Sequence, residues 1–126
     1  MKPVRVVLIE DNDVFRDALE LLFDLEEDVT LVASVGDGTE AVPACVEYDP
    51  DVVVMDFRLP GIDGVQATAA VRLACPGARV VCLTGAADER EVEALYEAGA
   101  VACLRKDQEL EEIVAAIQRA AGRLAA

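Results

Sequence analysis

The chain has 126 residues, enough for one domain with a two- or three-layer core, and its 11 basic against 25 acidic side chains give a formal net charge of −14. That charge argues against a nucleic-acid phosphate backbone as a direct partner and is compatible with holding a divalent cation, although solvated acidic helix faces account for most of it. Histidine is absent and the four cysteines, Cys45, Cys75, Cys82 and Cys103, contain no CxxC pair, so the sequence argues against zinc and for buried, reduced thiols acting as small hydrophobes.

The amino terminus runs directly into VRVVLI, with no apolar signal segment and no run of transmembrane length. A cytoplasmic protein with no membrane partner is expected. Val4 to Ile9 is the first predicted strand, followed by Glu10, Asp11, Asn12 and Asp13, of which Asn12 or Asp13 can cap the next helix. Phe15, Ala18, Leu19 and Leu22 recur at helical spacing and predict an amphipathic helix over Asp13 to Leu25. Val14, Leu21 and Leu25 form a neighbouring stripe, read mainly as a widening of the core-facing side and otherwise as a docking edge for a partner.

Thr30 to Val35 alternates in character and suits the edge of a sheet. A helix follows Gly36-Asp37-Gly38 and runs to about Tyr48; Pro43 inside it predicts a late start or a bend, because proline removes an N–H and clashes with the preceding turn. Val52 to Met55 is a continuous apolar run between turn signals, the mark of a strand buried on both faces, and Asp56 stands at its carboxyl end. Gly64 to Ala74 is a helix stopped by Cys75-Pro76-Gly77, and Arg79 to Thr84 is the fourth strand. Asp88 begins a helix with Val92, Leu95 and Tyr96 inward, closed by Gly99. Ala100 to Leu104 is the fifth strand, and Asp107 is the expected cap of a last helix whose Leu110, Ile113, Val114 and Ile117 form one stripe.

This fivefold βα alternation predicts an α/β fold with a doubly wound parallel sheet. Parallel strands share a direction, so Glu10-Asp11, Asp56, Thr84 and Lys106 reach one edge, where open α/β sheets bind ligands. Three carboxylates held close repel one another unless one takes a proton or a cation sits among them. Glu10, Asp11 and Asp56 are a hard-oxygen set suited to Mg²⁺. A lysine and a threonine are groups that bind phosphoryl oxygens, which makes Asp56 a candidate nucleophile for an aspartyl phosphate.

These residues resemble the receiver domains of two-component response regulators along the whole chain: the acidic pair in VVLIEDN, the aspartate in VVVMDFRLPGIDG, the threonine in VVCLTG and the lysine in CLRKD. The resemblance implies a flavodoxin-like (βα)5 domain over residues 1–126, a five-stranded parallel sheet of order 2-1-3-4-5 flanked by five helices. It implies Mg²⁺ on Glu10, Asp11, Asp56 and the backbone carbonyl of Arg58, with Asp56 as phosphoacceptor and Thr84 and Lys106 on the phosphoryl group. A sensor histidine kinase or phosphotransfer protein is the implied donor, homodimerisation on phosphorylation the implied response, and the first helix, through Val14, Leu21 and Leu25, the implied docking face. Chemistry beyond self-phosphotransfer and autodephosphorylation is not expected.

Cys103 departs from the pattern, because receivers usually have an inward-turning aromatic residue there; output would then rely more on the loop and helix from Asp88 to Ala98. Asp107 stands where many receivers have proline, and with VFRDALELL and RLPGIDG it is similar to the NarL/FixJ (LuxR-like) branch, whose members usually continue into a DNA-binding domain that regulates transcription. The chain reads either as a stand-alone receiver or as a receiver cut from a longer regulator, with no output domain of its own. Arg58 and Ala86 occupy positions that modulate the lifetime of the acyl phosphate in this family; Arg58 either screens the phosphoryl group or is a solvated loop residue. A phosphorylation-independent interaction module is the alternative function. A metal-dependent phosphatase is disfavoured because Arg58 stands where such enzymes want a second aspartate.

Overall fold

The computed structural model describes residues 2–124; Met1, Ala125 and Ala126, the ends of the expected domain, lie outside the described residues. Its elements alternate as β1 (Val4–Ile9), α1 (Asp13–Leu25), β2 (Val29–Val35), α2 (Ala41–Tyr48), β3 (Val52–Asp56), α3 (Gly64–Ala74), β4 (Arg79–Thr84), α4 (Glu89–Ala98), β5 (Ala100–Arg105) and α5 (Leu110–Ala120). The five strands form one parallel sheet in the order β2-β1-β3-β4-β5, as expected. Both outer strands carry one extra residue: the register with the neighbour shifts between Val6 and Val7 opposite β2 and between Val80 and Val81 opposite β5. Among the described residues no helix is long and apolar enough to cross a membrane.

The pleat of the strands sorts the core into two layers. Val7, Ile9, Val53, Met55, Val80 and Cys82 face α2, α3 and α4, meeting Ala44, Cys45, Ala67, Val71 and Leu95. Val6, Leu8, Val52, Val54, Val81 and Leu83 face α1 and α5, meeting Leu19, Phe23, Ile113, Val114 and Ile117. Every residue of β3 is buried, because helices cover both sides of the middle strand.

Helix ends follow local chemistry. Asn12 caps α1 by accepting from the Phe15 N–H, and Asp63 and Asp88 open α3 and α4 with reciprocal capping boxes to Gln66 and Glu91. The segment after Gly36 first makes a single 3-10 turn, Gly38–Glu40, and α2 starts only at Ala41. Pro43 thereby falls in the first turn, where its missing N–H has no intrahelical partner to lose. That is the late start the proline predicts.

Four expectations need correction. The core-facing side of α1 is narrow: Phe15, Leu19, Leu22 and Phe23 face inward, whereas Ala18 is exposed and Val14, Leu21 and Leu25 are 80%, 62% and 72% exposed. A helix lying on one sheet face needs a stripe and not half its circumference. Tyr96 is turned outward, where its hydroxyl accepts a 3.2 Å hydrogen bond from the Cys103 N–H, keeping the polar tip of the ring at the surface. Asp107 does not cap α5; Arg105 holds its carboxylate at 2.8 Å, and Glu109 occupies the cap position without a side-chain hydrogen bond. The cysteines are all unpaired thiols, but only Cys45 and Cys82 are buried, with Cys75 and Cys103 half-buried.

Gly64, the first residue of α3, lies against the chain that leaves β3. A Cβ on it would stand 2.7 Å from the Phe57 Cα and 3.0 Å from the Asp56 carbonyl oxygen, and the Gly64 N–H donates to the Phe57 oxygen at 2.8 Å. Both obstacles are backbone, so a side chain here must displace the segment carrying Asp56. Gly64→Ala is expected to lower unfolding stability by about 1–3 kcal/mol, measured by urea titration, whereas Gly77→Ala, with open space around its Cβ, should change it far less.

Candidate functional site

Three strands deliver the central side chains to one pocket by the same pleat. Leu8, Val54 and Leu104 point into the α1–α5 layer, and Glu10, Asp56 and Lys106 each follow two residues later, on the same face at the carboxyl edge. Glu10 is fully buried and Asp56 is 4% exposed. Asp11, one residue past Glu10, is exposed, and ligand oxygens of Glu10, Asp11 and Asp56 all lie within 4.8 Å of one another.

Lys106 closes the cluster. Its Nζ is 2.7 Å from Glu10 Oε1 and 3.2 Å from Asp56 Oδ2, and it sits 4.9 Å from the centre of the Phe15 ring, a cation–π contact on the apolar wall. The contact to Glu10 Oε1 is an ion pair without hydrogen-bond alignment, so that buried oxygen keeps an unsatisfied lone pair. Glu10 is further fixed by the Asn12 N–H on Oε2 at 3.0 Å, and its carbonyl accepts from Arg16 at 2.7 Å. Burial opposes the charge on Lys106, but its close contacts with the Glu10 and Asp56 carboxylates outweigh that and raise its pKa above the usual lysine value.

Asp56 shows the opposite strain. Burial first, then hydrogen bonding and repulsion from Glu10 and a hydrogen bond involving Asp11, push its pKa up to about 7, against the opposing pull of Lys106. Without a cation, the cluster therefore retains a proton near neutrality. An unsatisfied buried carboxylate oxygen, three convergent carboxylates and a raised carboxyl pKa fit a hard divalent cation such as Mg²⁺.

Thr84 ends β4 and is 5% exposed; its carbonyl accepts from the Lys106 N–H at 2.8 Å, which ties the two strand ends together. Arg58 stands at the mouth, as expected. Its N–H reaches Asp56 Oδ1 at 3.4 Å, and its exposed guanidinium lies over the Phe57 ring and 3.6 Å from Glu91 at the first turn of α4. A cleft of about 530 Å³ opens beside the carboxylates, lined by Asp11, Phe57, Arg58, Leu59, Pro60, Asp63 and Glu91. Ala86 is exposed in the loop between β4 and α4, and Cys103 lies on β5 beside Cys82, away from the carboxylates.

Of the five expected side chains, Glu10, Asp11, Asp56 and Lys106 meet, and Thr84 is tied to them through its backbone; the supports of this cluster left no sequence signal. Phe15 reads as core from its spacing, and nothing in the pattern marks it as the wall under Lys106. Asn12, Arg16 and Glu91 act through a backbone donor, a reach across a turn and a contact between distant loops, none of which leaves a periodic signal.

Comparison with known proteins agrees with this architecture. A family model described as "Response regulator receiver domain" matches residues 6–118. The chain is 33% identical over 117 residues to the transcriptional regulatory protein LiaR of Bacillus subtilis, covering 93% of this chain and 56% of LiaR, and 27% identical over 120 residues to the nitrate/nitrite response regulator protein NarL of Escherichia coli, covering 95% and 56%. It spans about half the length of these curated relatives. The signal receiver domain of NarL from Mycobacterium tuberculosis superposes with a TM-score of 0.92 at 33% identity, covering 97% of this chain and 98% of that one. The match over nearly the whole chain, on a sheet of this order, makes the chain a member of the response regulator receiver domain family, of the NarL/LuxR type.

Proposed function

We propose that Asp56 is the phosphoacceptor of this receiver domain and takes a phosphoryl group from a sensor histidine kinase or a phosphotransfer protein. The observation that supports this most is the environment of its carboxylate: Lys106 Nζ 3.2 Å away on one side and the oxygens of Glu10 and Asp11 within 4.8 Å on the other. An Asp56 oxygen attacks phosphorus in line with the leaving group, the bond to the donor breaks, and the Lys106 ammonium and Thr84 hydroxyl donate to the phosphoryl oxygens. Glu10, Asp11, Asp56 and the Arg58 carbonyl would hold Mg²⁺, which when bound supplies charge neutralisation at the phosphoryl group. Self-phosphotransfer and autodephosphorylation are then the whole of the chemistry, since the position two beyond Asp56 holds Arg58 and no general acid.

Phosphorylation adds charge and acceptor oxygens beside Thr84 and Lys106, and these pull the strand ends and the loop before α4 inward, changing affinity for a partner or for a second copy. The relatives include transcriptional regulators of which this chain matches only about half, so control of transcription through a DNA-binding domain beyond this chain is the proposed output. The exposed Val14, Leu21 and Leu25 on α1 are the proposed docking face for the phosphodonor protein. These roles fit a cytoplasmic protein.

The primary test is incubation with acetyl phosphate with and without Mg²⁺, followed by intact mass. The natural protein should gain one phosphoryl group only with Mg²⁺, and Asp56→Asn should gain none; no gain under any condition would favour an interaction module that works without phosphorylation. Arg58, at the mouth, should screen the acyl phosphate from water. Loss of one exposed charge contact of about 0.5–1 kcal/mol corresponds to a roughly 2–5-fold shorter aspartyl-phosphate lifetime in Arg58→Ala; equal lifetimes would remove that role.

The raised pKa of Asp56 also sets a pH dependence. In metal-free protein the folded state holds its proton up to about pH 7, whereas the unfolded chain releases it near pH 4. This group therefore contributes stability that is fully present below about pH 4 and lost as pH rises through 7. In EDTA at pH 7.5, Asp56→Asn should be more stable than the natural protein by on the order of 1–2 kcal/mol, a gap that closes towards pH 4 and on adding Mg²⁺, as read by thermal melts.

A further inference from the structure

Cys82 and Cys103 stand directly opposite each other on adjacent parallel strands. Both belong to the layer between the sheet and α2–α4, so their side chains leave the sheet on the same face. Parallel neighbours lie about 4.8 Å apart, inside the Cα separation of about 4.4–6.8 Å that a disulfide spans. The extra residue that shifts the β4–β5 register between Val80 and Val81 is what produces this pairing; without it Cys82 would face a different residue of β5.

The two thiols differ in exposure and acidity. Cys82 is fully buried, with its sulfur 3.7 Å from the Thr68 hydroxyl, and a hydrogen bond with Cys103 followed by burial raises its pKa. Cys103 is half-buried on the edge strand, and the hydrogen bond from Cys82 lowers its pKa against the opposing effect of burial, with help from the Tyr96 hydroxyl. One accessible, more acidic thiol beside one sheltered thiol is the arrangement of an attacking and a resolving cysteine.

We propose that Cys82 and Cys103 are an oxidative modification site, converted by a peroxide-class oxidant into a disulfide between β4 and β5. The Cys103 thiolate attacks a peroxide oxygen; an S–O bond forms, the O–O bond breaks, and hydroxide leaves to become water on protonation. Cys82 sulfur then attacks Cys103 sulfur; the S–S bond forms, the S–O bond breaks, and the hydroxyl departs as water with the Cys82 proton. Two thiols lose two electrons and the peroxide gains them. The cross-link stands two residues before Thr84 and three before Lys106, so it ties together the strands that carry both. Cys45 and Cys75 are a poorer pair, because they stand on α2 and at the end of α3, where no strand register holds them opposite each other.

The test is treatment of the natural protein with hydrogen peroxide, alkylation of remaining thiols under denaturing conditions, and tryptic peptide mapping. Trypsin separates Cys82 in residues 80–90 from Cys103 in residues 91–105, so a linked pair is diagnostic. The expected result is those two peptides joined, with a mass loss of two hydrogens reversed by dithiothreitol. The link should vanish in Cys103→Ser, where the half-buried position tolerates serine, and persist in Cys75→Ser. A Cys45–Cys75 link would overturn the proposal. So would oxidation of Cys103 to sulfinic acid without a link, or unreacted Cys82 and Cys103 at a peroxide dose that oxidises the urea-unfolded chain.

Discussion

One ammonium facing two buried carboxylates sets the conditions for the rest of this end of the sheet. Lys106 approaches Glu10 and Asp56 at 2.7 and 3.2 Å, distances at which opposite charges attract by about 4 kcal/mol or more at the effective dielectric of a protein surface. That attraction offsets part of the cost of burying Glu10 completely, but one positive charge does not neutralise three acidic groups. The residue of the imbalance falls on Asp56, whose pKa stays high despite the ammonium beside it. A proton and a divalent cation each relieve that imbalance differently, and this is what gives the pocket more than one stable condition.

The parallel sheet is the means by which residues so far apart in the chain share that imbalance. Because β1, β3 and β5 run the same way and keep the same pleat, the polar residue two positions after each α1-facing leucine or valine arrives at the same edge and face. Thr84 follows Cys82, on the α4 side of the sheet, and ends β4 at the same carboxyl edge. Its carbonyl bond to the Lys106 N–H couples the two sides. Arg58 extends the connection outward, from the backbone beside Asp56 to Glu91 in the capping box of α4. A change of charge at Asp56 thus has short polar routes to both β5 and the start of α4.

Most of the fold was legible in the sequence because its signals are local. Apolar runs of five or six residues, polar caps and glycine or proline stops lie within a few positions of what they determine, so the strands and helices emerge with nearly their observed limits. The central site was legible for a related reason: strand direction alone sends Glu10, Asp11, Asp56, Thr84 and Lys106 to one edge. What stayed hidden depends on which of several equivalent local choices the assembled structure selects. Tyr96 and Val14 are as apolar as the residues beside them, and only the position of β5 and the narrow footprint of α1 turn them outward. Asp107 is as good a cap as Asp63 or Asp88 until Arg105 engages it. The pairing of Cys82 with Cys103 depends on a one-residue shift that no periodicity announces.

That shift has a counterpart on the other side of the molecule, since β2 carries the same irregularity against β1. The three inner strands keep regular pairing with one another, and both departures fall on the strands with a free edge. An edge strand with an extra residue is bent and more strongly twisted, so its outward N–H and C=O groups no longer present an even row. A sheet finished in this way is a poor template for further strands, so neither side of the molecule invites edge-to-edge polymerisation.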